Sequence, residues 1–398
     1  MITIAYLVGA ESPATPIAGL PVLLRQALSL QDAGIDHLAL VGVSDRSVLR
    51  DPRVRIPVRD ASIADVGASE PALVAAVGCV WPQALVRWLV DVQVGDDDVA
   101  TRGEGGTAIL ACGAARVREI VERVERGEFG KPPQSPQEID AAVAMLLQSL
   151  YKPTDGLIAR SIDRRVSLAI TRRLLPTSIT PNQMTLLATL VGAIGVLIVS
   201  RGGYWNVLAG TVLFEAQGIL DGCDGEIARI KHLHSRAGEW LDQVADDVLN
   251  IALLVSVGAV LAADGSRYAM PLTRIAVASQ VVFAVALYAG LITTGGGGSV
   301  ARLRWWVDGP RTPAASGAES SSDRFWRFVV STFGDLTRRD FISFFYLVSA
   351  VAGWMHAAFV WQALVTIGSG VATAVQWIVW GGPELQSPKR RCPSSRSR

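Results

Sequence analysis

Six apolar segments in the part of the chain after residue 180 restrict the possible fold more than any other feature of this sequence. Several approach the roughly 20 residues that an α-helix needs to cross a bilayer, and the shorter ones can borrow flanking residues. Only 18% of the residues are charged, below the roughly 25% that is usual in soluble domains. The pattern predicts an all-α integral membrane domain of six transmembrane helices, near residues 184–200, 204–221, 239–263, 272–293, 341–359 and 361–380.

Basic residues indicate which side of the membrane the connections face. The loop 222–237 carries three of them, the segment 295–340 carries seven arginines, and the tail 383–398 is basic, whereas the opposite loops carry only three arginines. Basic loops stay in the cytoplasm. We therefore expect a multi-pass plasma-membrane protein with both termini and the loop 222–237 in the cytoplasm.

The region before residue 130 has a different pattern. Short apolar runs such as "ITIAYLV", "HLALVGV", "ALVAAVGCV" and "TAILAC" alternate with helical periodicity, which predicts an α/β domain with a parallel sheet. Ser135 and Glu138 have the spacing of a capping box at the start of a further helix. The predicted domains are 1–135 (α/β), 136–180 (linker helix and basic helix), 181–382 (membrane) and 383–398 (basic disordered tail).

The segment "DGLIARSIDRRVSLAITRRLLP", residues 155–176, combines apolar residues at helical spacing with interspersed arginines. Such a helix just before a membrane span is typical of an interfacial helix that lies on anionic headgroups. An ordinary surface helix of the α/β domain is the alternative.

Five aspartates lie within residues 221–247, from the end of the second apolar segment into the start of the third. If both flanks are helical, Asp221 and Asp224 share one face of the first helix, and Asp242 and Asp246 share one face of the second. Four carboxylates brought together in this way cannot all ionise without a cation. Hard oxygen ligands without clustered His or Cys favour Mg²⁺ or Mn²⁺, and two such ions can clamp a pyrophosphate.

Small residues accompany the aspartates. Gly225, Ala228 and Gly238 would let a nucleotide approach the backbone, and Arg229 is placed to meet phosphate charge. The net charge of +1 gives no global field that would favour nucleic acid as a partner.

The same residues resemble a known family. Asp221-x-x-Asp224-Gly225-x-x-Ala228-Arg229, followed by Gly238, Asp242 and Asp246, fits all eight fixed positions of the CDP-alcohol phosphotransferase motif. The resemblance implies a six-helix membrane enzyme, usually a homodimer, that passes a phosphoalcohol group from a CDP-alcohol to an acceptor hydroxyl and releases CMP. It also assigns roles to the residues. Asp221, Asp224 and Asp242 would be metal ligands, Asp246 would be a metal ligand and the general base, and the CDP site would be lined by Gly225, Ala228, Arg229, Gly238, Pro181, Asn182 and Thr185.

Other segments narrow the resemblance. "KPTDGLIAR", "DGCDGEIARIK" and "TRRDF" are similar to synthases that join inositol phosphate units, in which a nucleotidyltransferase-like domain precedes the membrane domain. Here the expected nucleotide loop is replaced by "GAESPATPIAG", and the expected metal-binding Asp by Gly78-Cys79. The N-terminal domain is therefore predicted to be a degenerate copy. Asp247 is a further departure, because many relatives have a basic residue there.

The resemblance suggests an alcohol or phosphorylated polyol as the acceptor. Lys231, Arg338 and Arg339 are candidates for holding an acceptor phosphate, although basic residues also accumulate on cytoplasmic loops without binding anything. A divalent-cation transporter that uses the intramembrane carboxylates is the alternative function. A transporter places polar groups near the midplane in repeated halves, and this sequence shows no internal repeat.

Overall fold

The computed structural model describes residues 2–9, 16–66, 70–100, 109–129, 132–151, 156, 158–293, 303–304, 335–380 and 384–385. The chain forms two compact units. The first contains Met1–Thr154, Leu168–Thr180 and Gly225–Leu233, and the second contains Asp155–Ser167, Pro181–Asp224 and His234–Arg398. Segments 168–180 and 225–233 thus join the first unit by contact, whereas the sequence placed them in the linker and the membrane domain.

A six-stranded sheet forms the centre of the first unit, in the order β3-β2-β1-β4-β6-β5. Strands β1 and β2 pair in parallel, as do β1 with β4 and β2 with β3. The strands β1, β2 and β4 are fully or largely buried, as expected for a parallel sheet covered on both faces. The strands are β1 (Ile4–Val8), β2 (His37–Val41), β3 (Val58–Ala61), β4 (Ala72–Ala76), β5 (Val99–Ala100) and β6 (Ile109–Cys112).

The prediction of a wholly parallel sheet is wrong at one edge. Strand β6 runs antiparallel to β4, and the short β5 runs antiparallel to β6. In the chain, β4 is followed by a helix, then by β5 and then by β6. The connection from β4 to β6 is therefore not a simple βαβ crossover. A two-residue strand is too short to show an alternating pattern, and its presence reverses the direction of β6.

The helices of this unit follow the sequence pattern. In α3, Val117, Ile120, Val121 and Val124 recur at helical spacing and are all buried. Helix α4 begins at the predicted capping box, in which the Ser135 side chain accepts a hydrogen bond from the Glu138 amide. The helices are α1 (Val22–Asp32), α2 (Gln83–Asp91), α3 (Val117–Glu125) and α4 (Pro136–Gln148), with 3₁₀ turns at Ser47–Arg50, Ile63–Asp65 and Ala114–Arg116. Helix α5 (Arg164–Leu174) belongs to this unit from Leu168 onwards, and the π-helical turn Ala159–Asp163 before it belongs to the second unit.

Where its residues are described, the second unit is helical apart from the short β-pair Leu303–Arg304 (β7) with Glu384–Leu385 (β8). Buried side chains such as Phe214, Leu253 and Phe359 form its core. Gly195 and Gly210 let two helices touch, because a Cβ on Gly210 would lie 2.5 Å from the Gly195 carbonyl oxygen. The helices are α6 (Pro181–Val199), α7 (Tyr204–Lys231), α8 (Arg236–Ala263), α9 (Ala269–Thr293), α10 (Arg339–Ala352) and α11 (Met355–Trp380).

Four of these helices are long and apolar enough to cross a membrane, namely Pro181–Val199, Arg236–Ala263, Ala269–Thr293 and Met355–Val379. Their outer faces carry exposed apolar side chains, including Leu197 (64% exposed) and Ile378 (83% exposed). Large apolar surfaces of this kind are rare on soluble monomers, so the helical region is that of a membrane protein.

Helices α7 and α10 depart from the predicted spans. Helix α7 continues through the aspartates to Lys231, ten residues beyond the predicted end at 221. Helix α10 has 14 residues and is only about 21 Å long at 1.5 Å per residue. It ends at Gly353, whose φ of 74° lies in the left-handed region, so the predicted boundary near 360 is wrong. Residues 305–334 and most of the tail 383–398 lie outside the described part of the chain.

Candidate metal centre

The motif aspartates lie on two consecutive helices. Helix α7 carries Asp221 and Asp224, and helix α8 carries Asp242 and Asp246. The carboxylates of Asp221, Asp242 and Asp246 each place an oxygen within 4.8 Å of the other two. Asp242 and Asp246 are four positions apart and share one face of α8, and Asp221 meets them from α7.

Asp224 is oriented differently from the other three. Its carboxylate is 8% exposed and accepts a hydrogen bond from the Thr185 hydroxyl of α6. The expected cluster of four carboxylates is therefore a cluster of three with Asp224 held beside Thr185. The structure thus brings Thr185, a predicted nucleotide-site residue, to the motif helix.

Arg339 contacts the three-carboxylate cluster. Its guanidinium donates to Asp246 and lies 3.4 Å from Asp221, and its second terminal nitrogen donates to Gln217 Oε1 at 2.7 Å. Gln217 was not predicted, although it precedes Asp221 by one helical turn and is almost fully buried. Extending the aspartate stripe one turn backwards along α7 would have found it.

The residues present fit a divalent cation. One oxygen of Asp242, Oδ1, is buried and has no hydrogen-bond partner among the described residues. Three ionised carboxylates and one guanidinium would leave two negative charges uncompensated. Carboxylate oxygens are the donors that Mg²⁺ and Mn²⁺ prefer. A buried acceptor without a hydrogen-bond donor, in a cluster with excess negative charge, has the properties expected of a metal ligand.

The predicted nucleotide residues fall in two places. Gly225, Ala228 and Arg229 continue along α7 over the two turns after Asp224. Gly238 lies in the first turn of α8, where its amide donates to the Ser235 side chain. A Cβ on Gly238 would lie 2.6 Å from Asn182 Oδ1, so the structure brings Gly238 and Asn182 together.

Pro181 is the first residue of α6 and starts the helix that carries Asn182 and Thr185. The fixed φ of proline and its missing amide suit the first position of a helix. Its position is therefore explained by the helix start alone, and its contact with a nucleotide stays a prediction.

Lys231, a predicted phosphate-binding residue, forms hydrogen bonds to backbone carbonyls in the structure. Its ammonium donates to the carbonyl oxygens of Thr177 at 2.6 Å and Ile179 at 3.3 Å. The residue is only 6% exposed, and burial lowers the pKa of its ammonium. These two carbonyls use two of the three ammonium donors, and the contact of Lys231 with an acceptor phosphate stays a prediction.

A cleft of about 230 Å³ lies beside Arg339. Arg338 lines it while pairing with Asp335 at 3.3 Å, so two of the three predicted acceptor residues line one cleft. Its wall also carries acidic groups that the sequence reasoning missed. They include Asp163, Glu215 and Asp340, with the Ser343 hydroxyl donating to Glu215 at 2.6 Å.

Asp163 stands before α5, outside the membrane-spanning segments. Burial and the nearby Asp340 carboxylate raise the pKa of its carboxyl to about 6. These acids are 52 to 177 residues apart in the chain (163, 215 and 340), so no local spacing marked them as neighbours.

Asp247 faces away from the cluster of three. Its carboxylate accepts hydrogen bonds from Tyr288 at 2.5 Å, Gln280 at 3.4 Å and Gln243 at 3.4 Å. These donors come from α8 and α9 and account for the burial of the residue. The acidic residue at this departure from the family pattern thus has a role in helix packing.

Fold and site together define a membrane-embedded helical domain with a three-carboxylate centre on consecutive helices. The sequence profile of the CDP-alcohol phosphatidyltransferase family matches residues 178–314. This region contains α6 to α9 and all the motif aspartates. Residues 178–314 of the chain are therefore similar to the CDP-alcohol phosphatidyltransferase family.

Three curated relatives are similar to part of this chain, and each is a "Bifunctional IPC transferase and DIPP synthase". The protein from Aquifex aeolicus is 33% identical over 129 residues, which cover 32% of this chain and 29% of the relative. The relative from Archaeoglobus fulgidus is 31% identical over 132 residues (33% and 26%), and the one from Thermococcus kodakarensis is 39% identical over 115 residues (28% and 25%). The chain thus matches less than a third of the length of these relatives.

Proposed function

We propose that this protein is a metal-dependent CDP-alcohol phosphotransferase of the membrane. The convergence of Asp221, Asp242 and Asp246, with a buried unpartnered oxygen on Asp242, is the observation that carries this function. Two Mg²⁺ or Mn²⁺ ions, when bound, would supply the positive charge that stabilises the attacking and leaving oxygens of a phosphoryl transfer. The family match does not favour the cation-transporter alternative.

The chemical step assigns one role to each group of residues. The acceptor hydroxyl oxygen forms a bond to the phosphorus that carries the alcohol, and the bond from this phosphorus to the bridging oxygen of CMP breaks. CMP leaves with that oxygen, and Asp246 takes the hydroxyl proton. Asp221, Asp224 and Asp242 would hold metal, and Gly225, Ala228, Arg229, Gly238, Pro181, Asn182 and Thr185 would border CDP.

The donor is a CDP-alcohol, either CDP-diacylglycerol or a CDP-inositol-like compound, and the reaction would serve phospholipid or inositol-phosphate synthesis. The names of the relatives, IPC transferase and DIPP synthase, support this range. Purified protein incubated with a panel of CDP-alcohols in MnCl₂ should release CMP from one of them. Absence of CMP release from every donor, with the metal centre shown to bind Mn²⁺, would contradict the proposal.

The acceptor would be an alcohol or a phosphorylated polyol in the cleft beside Arg339. Arg338 and Arg339 line this cleft, and a guanidinium can hold a phosphate with two hydrogen bonds. Arg338→Ala should raise the KM for a phosphorylated acceptor without changing CDP affinity, because Arg338 pairs with Asp335 and, among the described residues, forms no ion pair with the motif aspartates. Wild-type kinetics in this variant would favour a neutral alcohol as acceptor.

The remaining features of the proposal concern the setting of the site. We propose that all six helices α6 to α11 belong to the membrane domain 181–382, and that the enzyme is a homodimer in the plasma membrane. The basic segments support cytoplasmic termini and a cytoplasmic active site. The N-terminal region would be a degenerate nucleotidyltransferase-like domain, since Gly78 and Cys79 follow β4 where a catalytic Asp would be expected.

A further inference from the structure

We propose that Arg25 and Arg53, in the N-terminal α/β region, are positioning residues for the donor site on α7. This inference rests on the proposed function, because it assumes that Ala228 and Arg229 border the CDP group. It assigns the N-terminal region a task in the reaction other than nucleotidyl transfer. The last residues of α7, from Gly225 to Lys231, belong to the first unit.

Arg25 is a buried cation bound to the last turn of α7. One terminal nitrogen, Nη1, donates to the Ile230 carbonyl at 2.7 Å, and the other donates to the Ile17 carbonyl at 2.8 Å. Arg25 is 4% exposed, and no carboxylate among the described residues forms an ion pair with it. Desolvation lowers the pKa of its guanidinium to about 10, so it stays charged at neutral pH.

The partner of this charge is the helix end itself. The last four carbonyls of an α-helix lack intrahelical donors and carry partial negative charge. A buried cation that donates to one of these carbonyls gives the carbonyl a hydrogen-bond donor and gives the cation a partner with negative charge. Arg25 therefore caps α7.

Arg53 caps the next carbonyl. It donates to the Lys231 oxygen at 2.9 Å, and Asp51 fixes the guanidinium through two hydrogen bonds of 2.9 and 2.8 Å. Its side chain is 28% exposed, so its removal leaves little buried empty space. Arg53 is thus the better residue to substitute.

The residue after the helix is held as well. His232 has a φ of 52°, an uncommon conformation for a residue other than glycine, and its Nδ1 lies 2.7 Å from Asp32 Oδ2. The Leu233 amide closes the turn on the Ala228 carbonyl at 2.9 Å. Asp32 is the last residue of α1, so α1 contacts this helix end through both Arg25 and Asp32.

Apolar packing completes the attachment. Ile230 is 3% exposed and belongs to an apolar cluster with Ile17, Val22 and Leu147. One turn earlier, the fully buried Glu226 accepts a hydrogen bond from Thr171 at 2.6 Å. The two turns that carry Gly225, Ala228 and Arg229 are therefore fixed by side chains from α1, α4 and α5 and from the loop that contains Arg53.

The attachment of the end of α7 should affect the proposed CDP-binding residues and not the metal-binding aspartates. Releasing the end of α7 would let its last turns fray, because their carbonyls would lose their donors. Ala228 and Arg229 lie on these turns, whereas Asp221, Asp242 and Asp246 do not. Loss of Arg53 or weakening of Arg25 should therefore impair binding of the CDP group while metal binding survives.

The test uses the full-length protein in detergent, with CDP as the nucleotide probe and Mn²⁺ as the metal. Arg53→Ala and Arg25→Lys should each weaken CDP affinity, measured calorimetrically in excess Mn²⁺, by about tenfold, the factor equivalent to about 1.4 kcal/mol. Mn²⁺ affinity, measured by electron paramagnetic resonance, should change less than about twofold, equivalent to about 0.4 kcal/mol. Arg53→Lys, which keeps one donor, should restore part of the CDP affinity.

Arg118→Ala is the matched control. Arg118 also donates to backbone carbonyls of the same domain, those of Ala64 and Val66, but contacts nothing on α7 among the described residues. This variant should bind CDP as the wild type does. Amide hydrogen exchange over residues 225–233 should increase in the Arg53 and Arg25 variants and not in the Arg118 variant.

Three outcomes would count against the inference. CDP binding at wild-type affinity in both Arg53→Ala and Arg25→Lys would overturn it and leave the proposed function intact. Joint loss of CDP and Mn²⁺ binding would also overturn it, because a positioning role predicts that the metal centre survives. A wild-type protein that binds Mn²⁺ but not CDP would instead overturn the proposed function, and the inference with it.

Discussion

Replacing Asp242 with asparagine should stabilise the protein in the absence of metal and remove the stability that metal adds. The Asp242 carboxylate lies within 4.8 Å of those of Asp221 and Asp246. One of its oxygens has no hydrogen-bond partner among the described residues. Asparagine has nearly the same shape, so the substitution removes charge without opening a cavity.

The magnitude follows from the spacing. Two like charges about 5 Å apart, at an effective dielectric constant of about 20, repel by about 3 kcal/mol. Arg339 offsets part of this repulsion by pairing with Asp221 and Asp246. We expect a net gain of about 1–3 kcal/mol in the free energy of unfolding, after this offset. Wild-type protein should in turn gain about 2.7 kcal/mol from Mn²⁺ at 100 times its Kd, and Asp242→Asn should gain almost nothing.

Thermal unfolding in detergent, in EDTA and in MnCl₂, measures both effects. The matched control is Asp247→Asn on the same helix, five positions further along the chain. Its carboxylate accepts from Tyr288, Gln280 and Gln243, so this variant should melt lower in EDTA and still gain from Mn²⁺. The reasoning is refuted if Asp242→Asn melts below the wild type in EDTA, or if it gains as much from Mn²⁺.

Three further predictions test separate parts of the account. Asp246→Asn should abolish CMP release but retain CDP binding, because the other carboxylates still hold metal; full turnover would refute the role of Asp246 as base. The pKa of the Asp163 carboxyl is raised to about 6, so the folded state disfavours its ionised form. The stability that this carboxyl contributes is therefore complete below about pH 4, near its pKa in the unfolded chain. This stability is lost as the pH rises to about 6. Asp163→Asn should therefore remove a fall in Tm across this range, and an unchanged pH profile would show that its environment is not desolvated. The full-length protein should form no CDP-alcohol from CTP and inositol 1-phosphate, because Gly78 and Cys79 replace the metal-binding Asp; a CDP-alcohol detected by chromatography would show that the N-terminal domain is catalytic.

Local patterns predicted most of the elements of the fold. The buried strands β1, β2, β4 and β6 and the capping box at Ser135 were each visible in a short window of sequence, because periodicity and capping are local properties. The direction of β6 was not, since it depends on the two-residue strand β5. The apolar run ended near residue 221, but the aspartate spacing already required a helix past Asp224, and α7 continues to Lys231.

In the candidate site, too, local spacing was predictable from the sequence and contacts between distant residues were not. The helical spacing of the aspartates led to the prediction that four carboxylates come together, and Asp221, Asp242 and Asp246 do so. It could not predict that Thr185 would bind Asp224, or that Arg339 would reach the cluster from 93 residues beyond Asp246. The charge of Lys231 was visible in the sequence, while its hydrogen bonds to the Thr177 and Ile179 carbonyls were not.

Phosphorus NMR of a single reaction shows most directly whether the protein is a metal-dependent phosphotransferase. Purified protein, MnCl₂, the CDP-alcohol from which it releases CMP and a set of hydroxyl acceptors are followed until the donor is consumed. The account predicts that CMP and a new phosphodiester appear in equal amounts, that the phosphodiester requires an acceptor, and that EDTA or Asp221→Asn stops both. CMP accompanied only by a free phosphomonoester would show hydrolysis in place of transfer, and equal product formation in EDTA would contradict a metal-dependent centre.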